Sequence, residues 1–173
     1  MRALLLLCMS FYLVACGFHF SHRDQLPDDF TAIYVTSGNS HTPIYAMLKQ
    51  LFNADGILVD SAEQAKIIIH ILSDAESTSS VNTGSTQETR VYQLIHTFSF
   101  RLETPKGTTI YGPITLSNSM NDFVYAGQVI GNNQELPPSY EKLREKAIQQ
   151  MLLLLSSNNV QQAVYEHQSN PTH

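Results

Sequence analysis

Apolar residues in the first half of the chain follow strand-like and helix-like patterns in turn. Residues 31–36 alternate, with Ile33 and Val35 on one side and Tyr34 on the other, which predicts a strand. Apolar positions then recur at helical spacing over residues 44–52, after a threonine and a proline that suit a helix start and before a glycine that suits a helix end. Residues 57–59 are strand-like. Residues 66–72 are apolar on both faces, which is typical of a strand inside a sheet.

The second half of the chain predicts a long β-hairpin followed by a helix. Between residues 90 and 103 the alternation is regular, and one side collects Tyr92, Leu94, His96, Phe98, Phe100 and Leu102. A turn at residues 104–107 leads into a second strand, in which one face carries Ile110, Ile114, Leu116 and Met120. An apolar stripe at helical spacing follows over residues 139–155. Two antiparallel strands with one apolar side need such a helix across them.

Three polar stretches separate or follow these elements. Residues 73–89 are rich in Ser, Thr, Asn and Gly, which is typical of an exposed loop or of two solvated strand ends joined at residues 82–85. Residues 126–138 contain several Gly, Asn and Pro residues and predict a second loop. Both stretches are candidate contact surfaces, because exposed loops on a compact domain often carry function. Residues 158–173 allow one more helical turn but end in polar residues, so we predict a flexible tail.

The N-terminus has the pattern of a bacterial lipoprotein. A single positive charge at Arg2 precedes an apolar run that ends in the lipobox-like sequence Leu13-Val14-Ala15-Cys16. The alternative is a membrane helix that ends at an ordinary cysteine, but the run is only about a dozen residues and a span needs roughly 20. We therefore predict cleavage before Cys16, acylation of Cys16 and anchoring of the mature protein to a membrane.

Cleavage at this point sets the length, the net charge and the cysteine content of the mature protein. Removing 15 of 173 residues leaves 158, which is enough for one domain with its own core. Loss of Arg2 takes the net charge from −5 to −6, and this acidity argues against nucleic acid as a partner. Cys8 leaves with the signal peptide, so no internal disulfide is predicted. The predicted divisions are a signal peptide at 1–15, a lipidated linker at 16–30, an α/β domain at 31–157 and the tail at 158–173.

The sequence contains none of the common motifs of catalysis or cofactor binding. It has no glycine-rich phosphate loop, no HExxH, no CxxC and no GxSxG. Histidine, serine and aspartate are present, but no spacing singles out a catalytic triad. His19 and His22 are three residues apart without a third ligand nearby in the sequence, so we predict no metal site. We predict neither an enzyme nor a cofactor.

Taken together, the lipobox and the order of elements resemble the LptE family of lipopolysaccharide-assembly lipoproteins. The sharpest local matches are the start Cys16-Gly17-Phe18-His19-Phe20 and the segment Val91-Tyr92-Gln93-Leu94 inside the first long strand. The resemblance covers nearly the whole mature chain. It implies an α/β (α+β) two-layer sandwich, with two amphipathic helices packed on a mixed four-stranded sheet that includes two long antiparallel strands.

The resemblance also implies partners and a location. Proteins of this family fill the lumen of the large outer-membrane β-barrel LptD, help that barrel fold and bind lipopolysaccharide on its way to the outer leaflet. The residue after Cys16 is Gly17 and not an acidic residue, which in diderm bacteria is the usual signal for sorting to the outer membrane. Few charges and abundant Ser, Thr, Asn and Gln suit a surface that meets a polar barrel interior.

The sequence departs from the family in its cations. Basic residues in the loops around the long hairpin are implicated in binding the anionic lipid in the family, whereas residues 73–89 and 126–138 of this chain contain no Lys or Arg. The nearest cations on the hairpin are Arg90, Arg101 and Lys106, which are our candidates for contacting lipopolysaccharide phosphates. The alternative for each is a solvated charge on a strand edge.

Three functional hypotheses follow from the sequence. The first is a lipid-anchored plug and assembly factor for an LptD-type barrel, with lipopolysaccharide as a second ligand. The second is a stand-alone envelope lipoprotein with a structural or ligand-binding role and no barrel partner. The third is an enzyme of envelope metabolism, which requires a pocket that gathers carboxylates or histidines.

Overall fold

The structure is a computed structural model and describes residues 26–27, 30–81, 89–125 and 138–169. Within these ranges the chain forms four strands and three α-helices, and a short 3-10 helix at Ala62–Gln64. The elements in chain order are β1 Ile33–Ser37, α1 Pro43–Ala54, β2 Ile67–Val81, β3 Thr89–Glu103, β4 Thr109–Tyr125, α2 Pro138–Leu155 and α3 Asn158–Ser169.

The strands form one sheet in the order β1-β2-β3-β4. β1 and β2 are parallel and are joined through α1, since a parallel pair needs a crossover connection. β2 with β3 and β3 with β4 are antiparallel. The predicted α+β sandwich with a mixed four-stranded sheet and two long antiparallel strands is confirmed.

The start and the end of α1 follow the local sequence. Thr42 has extended backbone angles at the N-cap position, and Pro43 is the first helical residue, where its missing N–H costs nothing. The helix ends at Ala54, and Gly56 then takes a φ of 69° that returns the chain towards β1. These local signals therefore set the two ends of the helix, as predicted.

All three helices pack on one face of the sheet and enclose the main core. Side chains that point to this face from the strands include Ile33, Ile69, Phe98 and Phe100, and the rings of Phe98 and Phe100 stack with centroids 5.2 Å apart. The inward positions of β3 are those of the predicted apolar side, because alternate side chains of a strand point to opposite faces. This part of the sequence prediction is confirmed.

A β-bulge at Leu72 divides β2 into two parts with opposite patterns. Ile71 pairs with Phe100 and Ser73 pairs with Ser99, so Leu72 is the extra residue. Before the bulge, odd-numbered residues point to the helices, and after it even-numbered residues do. We call residues 73–81, 89–97 and 117–125 the far half of the sheet and the remainder, with β1, the near half.

The remaining predicted segments have different outcomes. Residues 73–81 are part of β2, so of the two alternatives predicted for this stretch the solvated strand end is found and not the loop. Residues 82–88 and 126–137 lie outside the described residues. Leu58 forms a single parallel bridge with Ile33, so residues 57–59 add no strand to the sheet.

The C-terminal segment corrects the prediction of a polar tail from residue 158. Residues 158–169 form α3, a third helix where the prediction had two. Val160 and Val164 are fully buried in the main core, and burial of these two side chains outweighs the polar composition of the rest of the segment. A search for membrane-spanning helices among the described residues finds none that is both long and apolar enough.

Candidate functional site

Polar side chains make several of the contacts between α2 and the far half of the sheet. Four side-chain contacts join strands to α2: Glu76 with Arg144, Thr78 with Tyr140, Asn118 with Gln150, and Asp122 with Ser139. A fifth contact joins Asp74 of β2 to His96 of β3. We call these ten residues the polar layer.

Asp74 is the most buried carboxylate of the polar layer. His96 Nε2 donates to Asp74 Oδ1 over 2.8 Å, and the backbone N–H of Ile44 donates to Asp74 Oδ2 over 3.3 Å. The side chains of His96 and Asp74 are 0% and 3% exposed. An Asp–His pair is also part of catalytic triads, but this His96 is closed off from solvent and substrate. The two contacts of Asp74 instead fix the start of α1 against the sheet.

The ion pair between Arg144 and Glu76 joins α2 to β2. Arg144 Nη1 donates to Glu76 Oε1, and the two side chains are 10% and 16% exposed. Such a pair contributes little net stability over an apolar contact, but loss of one partner leaves a nearly buried charge. The pair therefore specifies which part of α2 faces β2.

A small apolar cluster lies next to the polar layer. It consists of Leu94, Tyr140 and Leu143, with Tyr92 and Met120 packed against it. The hydroxyl of Tyr140 also contacts Thr78 Oγ1 at 2.7 Å, so the ring is buried while its polar end is satisfied. The far half is thus held by fewer apolar contacts than the near half.

The face of the sheet opposite the helices carries no charged residue in its middle part. The cross-strand partners that share this face form four rows of three residues across β2, β3 and β4. We call these twelve residues the hydroxyl face: Ser73, Ser99 and Thr115; Ala75, Thr97 and Ser117; Ser77, Ile95 and Ser119; Ser79, Gln93 and Asn121. The residues from β2 and β4 are exposed and those from the central β3 are half-buried, as expected for an uncovered sheet.

Arg101, one of the three predicted lipid contacts, lies on this open face at the near end. Its Nε donates to Glu103, which also accepts a hydrogen bond from His70 Nδ1 over 3.0 Å. The side chain of Arg101 is 36% exposed, and its Nη2 lies 3.4 Å from His70 Nδ1. Arg101 is therefore partly neutralised rather than a free cation.

The other two predicted cations do not lie beside each other. Lys106 is exposed in the turn after β3, which is closed by hydrogen bonds between Thr104 and Thr108. Arg90 lies near the start of β3, at the opposite end of the sheet, and its side chain is outside the described residues. Eleven residues of extended strand separate Arg90 from Arg101, or roughly 37 Å. The structure thus brings Arg101 and Lys106 to one end but not Arg90.

The part of the chain that forms this architecture matches a known protein family. The family model for LptE, described as lipopolysaccharide assembly, matches residues 30–155, which is more than half of the chain. The chain belongs to the LptE family. The resemblance drawn from the sequence is therefore confirmed, and with it the prediction of an envelope lipoprotein in lipopolysaccharide assembly.

Individual relatives of this LptE-family chain agree with the assignment. It is similar to the LPS-assembly lipoprotein LptE of Pectobacterium atrosepticum, with 26% identity over 151 residues, or 86% of this chain and 81% of the relative. A lipoprotein B of Nitrosomonas europaea has a similar structure, with a TM-score of 0.64, 19% identity and coverage of 82% of this chain and 90% of that chain. A minor lipoprotein of Acinetobacter baumannii gives a TM-score of 0.54 at 19% identity, with coverage of 75% and 95%. At these identities the two structures are evidence for the fold alone.

The LptE-family assignment also bears on chemistry. Its assembly role is non-catalytic, in line with the prediction of no enzyme. Among the described residues, no group of three or more His, Cys, Asp or Glu side chains is placed to hold a metal ion. Cys16, the predicted acylation site, lies outside the described residues, as do His19 and His22.

The polar layer was missed by sequence analysis. Asp74 and Glu76 were assigned to a stretch that reads as either loop or strand end, so their direction was open. Arg144 belongs to a helix whose apolar stripe was recognised, but its partner is 68 residues away in the sequence. The one available signal was His96, a polar residue on the otherwise apolar side of β3.

Proposed function

We propose that this LptE-family protein is anchored to the outer membrane through acylated Cys16, fills the lumen of an LptD-type β-barrel and assists assembly of that barrel. In the same position it binds lipopolysaccharide for delivery to the outer leaflet. The observation that carries the proposal is the LptE family match, which covers all four strands, α1 and α2.

The dimensions of the sheet suit a plug. β3 has 15 residues, which at about 3.4 Å per residue is roughly 50 Å. The hydrocarbon core of a bilayer is roughly 30 Å thick, so the sheet is long enough to extend through the whole height of a barrel wall. The main core, with three helices on one face, makes the near half of such a plug rigid.

Arg101 and Lys106 are the proposed contacts for lipopolysaccharide. Both lie at the near end of the sheet, and both keep N–H groups accessible to an anionic phosphate. Arg90 is a separate candidate at the far end. Because Glu103 already pairs with Arg101, a phosphate at Arg101 must compete with that carboxylate.

A detergent pull-down from native outer membranes tests the barrel partner. We expect chain tagged at its C-terminus to recover a large β-barrel in near-equal amount, identified by mass spectrometry. Recovery of the lipidated chain alone contradicts the proposal and favours a stand-alone envelope lipoprotein. The variant Cys16→Ser tests the anchor separately, because it must lose incorporation of labelled palmitate while wild type retains it.

Binding of purified lipopolysaccharide tests the cations. We expect Arg101→Gln and Lys106→Gln each to weaken binding severalfold, since each loses a charge-assisted hydrogen bond to phosphate. Lys142→Gln is the matched control, because Lys142 is an exposed cation on α2 away from this end. Equal affinities for all three variants contradict a phosphate contact at the near end.

A further inference from the structure

The hydroxyl face combines three properties that are unusual together on one surface. Eight of its twelve residues are Ser or Thr, two are the amides Gln93 and Asn121, and two are the apolar Ala75 and Ile95. None is charged. Its side chains are short, apart from Ile95 and the two amides, and Ser99 Oγ lies 2.6 Å from Thr115 Oγ1, so neighbouring hydroxyls bond across strands. The result is a neutral, hydrogen-bonding surface of mostly short side chains.

The bulge at Leu72 keeps this face neutral. If Leu72 were an ordinary paired position, the alternation of β2 would place Asp74 and Glu76 on the open face and Ser73, Ala75 and Ser77 against the helices. With the bulge, both carboxylates are used inside the polar layer, by His96 and Arg144. The charges of the far half thus lie on one side of the sheet and the neutral hydroxyls on the other.

The chemistry of the hydroxyl face excludes several kinds of ligand. Acyl chains need a broad apolar surface, and phosphates need cations, whereas the twelve residues include two apolar side chains and no cation. The face is also too small to hold a second copy of the chain in a standard interface. Each position covers roughly 33 Å², so the face covers roughly 400 Å², about half of the roughly 800 Å² that one side of a standard interface buries.

We infer that the hydroxyl face contacts the lumen-facing wall of the β-barrel partner. This inference rests on the proposed function and names the surface through which the plug meets its barrel. The inner wall of a barrel is itself a sheet of alternating residues with polar side chains inward. Short Ser, Thr and Ala side chains leave space for longer side chains of the wall, and direct or water-bridged hydrogen bonds join the two. Because the wall is concave, it also reaches the outer edges of β2 and β4, which enlarges the contact beyond the face itself.

A neutral face has a thermodynamic advantage in this position. Bringing a charged surface against a wall requires each ion to lose its water and find a partner, and an ion left without a partner opposes the contact strongly. Hydroxyl groups lose less hydration free energy than ions do, and they can rotate to find a hydrogen-bond donor or acceptor on the wall. We therefore expect the contact to depend only weakly on salt.

Two added charges on the hydroxyl face test the inference. Ser77→Arg with Ser119→Arg places two long cations on either side of Ile95 in one row. We expect this double variant to recover at least tenfold less barrel than wild type in the pull-down. Ser77→Ala with Ser119→Ala stays small and neutral and is expected to recover barrel within about threefold, because water or the longer side chains of the wall can replace an exposed hydroxyl. Urea unfolding of both double variants establishes that they fold like wild type.

The matched control adds the same two charges to the helical side. Gln50 of α1 and Gln149 of α2 are both exposed helix positions, so Gln50→Arg with Gln149→Arg changes net charge equally without touching the open face. We expect near wild-type recovery of barrel for this control. Equal loss in both arginine variants overturns the inference, as does full recovery with the face variant, while the proposed function stands in either case.

Two further outcomes separate the inference from the proposed function. If wild type recovers no barrel, both fail together. If the purified chain is a dimer without barrel and the face arginines make it monomeric, the occupant is a second copy and the inference is overturned. Barrel recovery by wild type that persists between about 0.1 and 1 M salt supports a neutral contact.

Discussion

Asp74 accepts hydrogen bonds from two elements that are far apart in the sequence. One oxygen binds His96 of β3 and the other binds the second residue of α1. An acceptor at a helix start is usually supplied by the N-cap side chain, but Thr42 makes no such bond here. A single buried carboxylate therefore replaces the local cap and ties α1 to the far half of the sheet.

Substitution of this residue is expected to destabilise the fold. Asp74→Ala leaves His96 buried without a partner and the Ile44 N–H without its acceptor. We expect a loss of about 2–4 kcal/mol in the free energy of unfolding, measured by urea titration. Ser77→Ala on the open face of the same strand is the control and is expected to stay within about 0.5 kcal/mol. Equal stabilities for the two variants contradict the role given to Asp74.

At the scale of the element, the bulge in β2 decides which side chains meet α2. Leu72 itself is 41% exposed and contributes little as a side chain. Its importance is as an additional residue that shifts the phase of the nine residues after it.

Deletion of Ala75 is expected to damage the protein far more than deletion of Leu72. Deleting Leu72 removes only the extra residue, so the strand becomes regular and Asp74 and Glu76 keep facing the helices. Deleting Ala75 makes these two carboxylates adjacent in the strand and so places them on opposite faces, which leaves one buried partner in the polar layer unpaired. Thermal unfolding followed by circular dichroism distinguishes the two variants, and equal melting temperatures contradict the role given to side-chain direction in β2.

α3 is stable through two side chains rather than through its composition. Val160 and Val164 lie one turn apart, both at 0% exposure, and the rest of the helix is largely polar. Val160→Ala with Val164→Ala is expected to cost about 3–4 kcal/mol, from about 0.8 kcal/mol per buried methylene plus the cavities left. Tyr165→Ala is the control, because this side chain is 66% exposed, and its free energy of unfolding is expected to stay within about 0.5 kcal/mol of wild type. A small loss in the double variant on urea unfolding shows that α3 is not part of the cooperative domain.

Across the whole molecule, the two halves of the sheet are held by different forces. The near half lies on the main core, whereas the far half lies on the polar layer and the small cluster of Leu94, Tyr140 and Leu143. Buried apolar area contributes most of the stability of a domain, and the polar contacts add modest net amounts. The far half is therefore the less stable part of the isolated protein.

Hydrogen exchange along β3 tests this difference within one strand. Residues 91–100 of β3 are paired with both β2 and β4, and residues 101–102 lie at an irregularity in the pairing with β4. Both groups of amides therefore lie in a central strand, so an exposed sheet edge does not explain a difference between them. We expect amides of residues 91–96 to be at least tenfold less protected than those of residues 98–102, equivalent to about 1.4 kcal/mol in opening free energy. Uniform protection along β3 contradicts the division.

Much of the fold was predictable from the sequence because side-chain direction follows from local backbone geometry. The inward residues of β3, the bounds of α1 and the apolar stripe of α2 are all local periodicities, and each was recognised. The family resemblance also rested on element order and short local matches.

Tertiary structure decided what depends on partners distant in the chain. Whether residues 73–81 form loop or strand, and which way Asp74 and Glu76 point, depends on pairing with β3 and on the bulge. The docking of α3, the ion pair of Glu76 with Arg144 and the separation of Arg90 from Arg101 likewise follow from the assembled sheet. The physical reason is that local sequence sets the period of a segment, whereas burial and long-range hydrogen bonding select its register, its face and its neighbours.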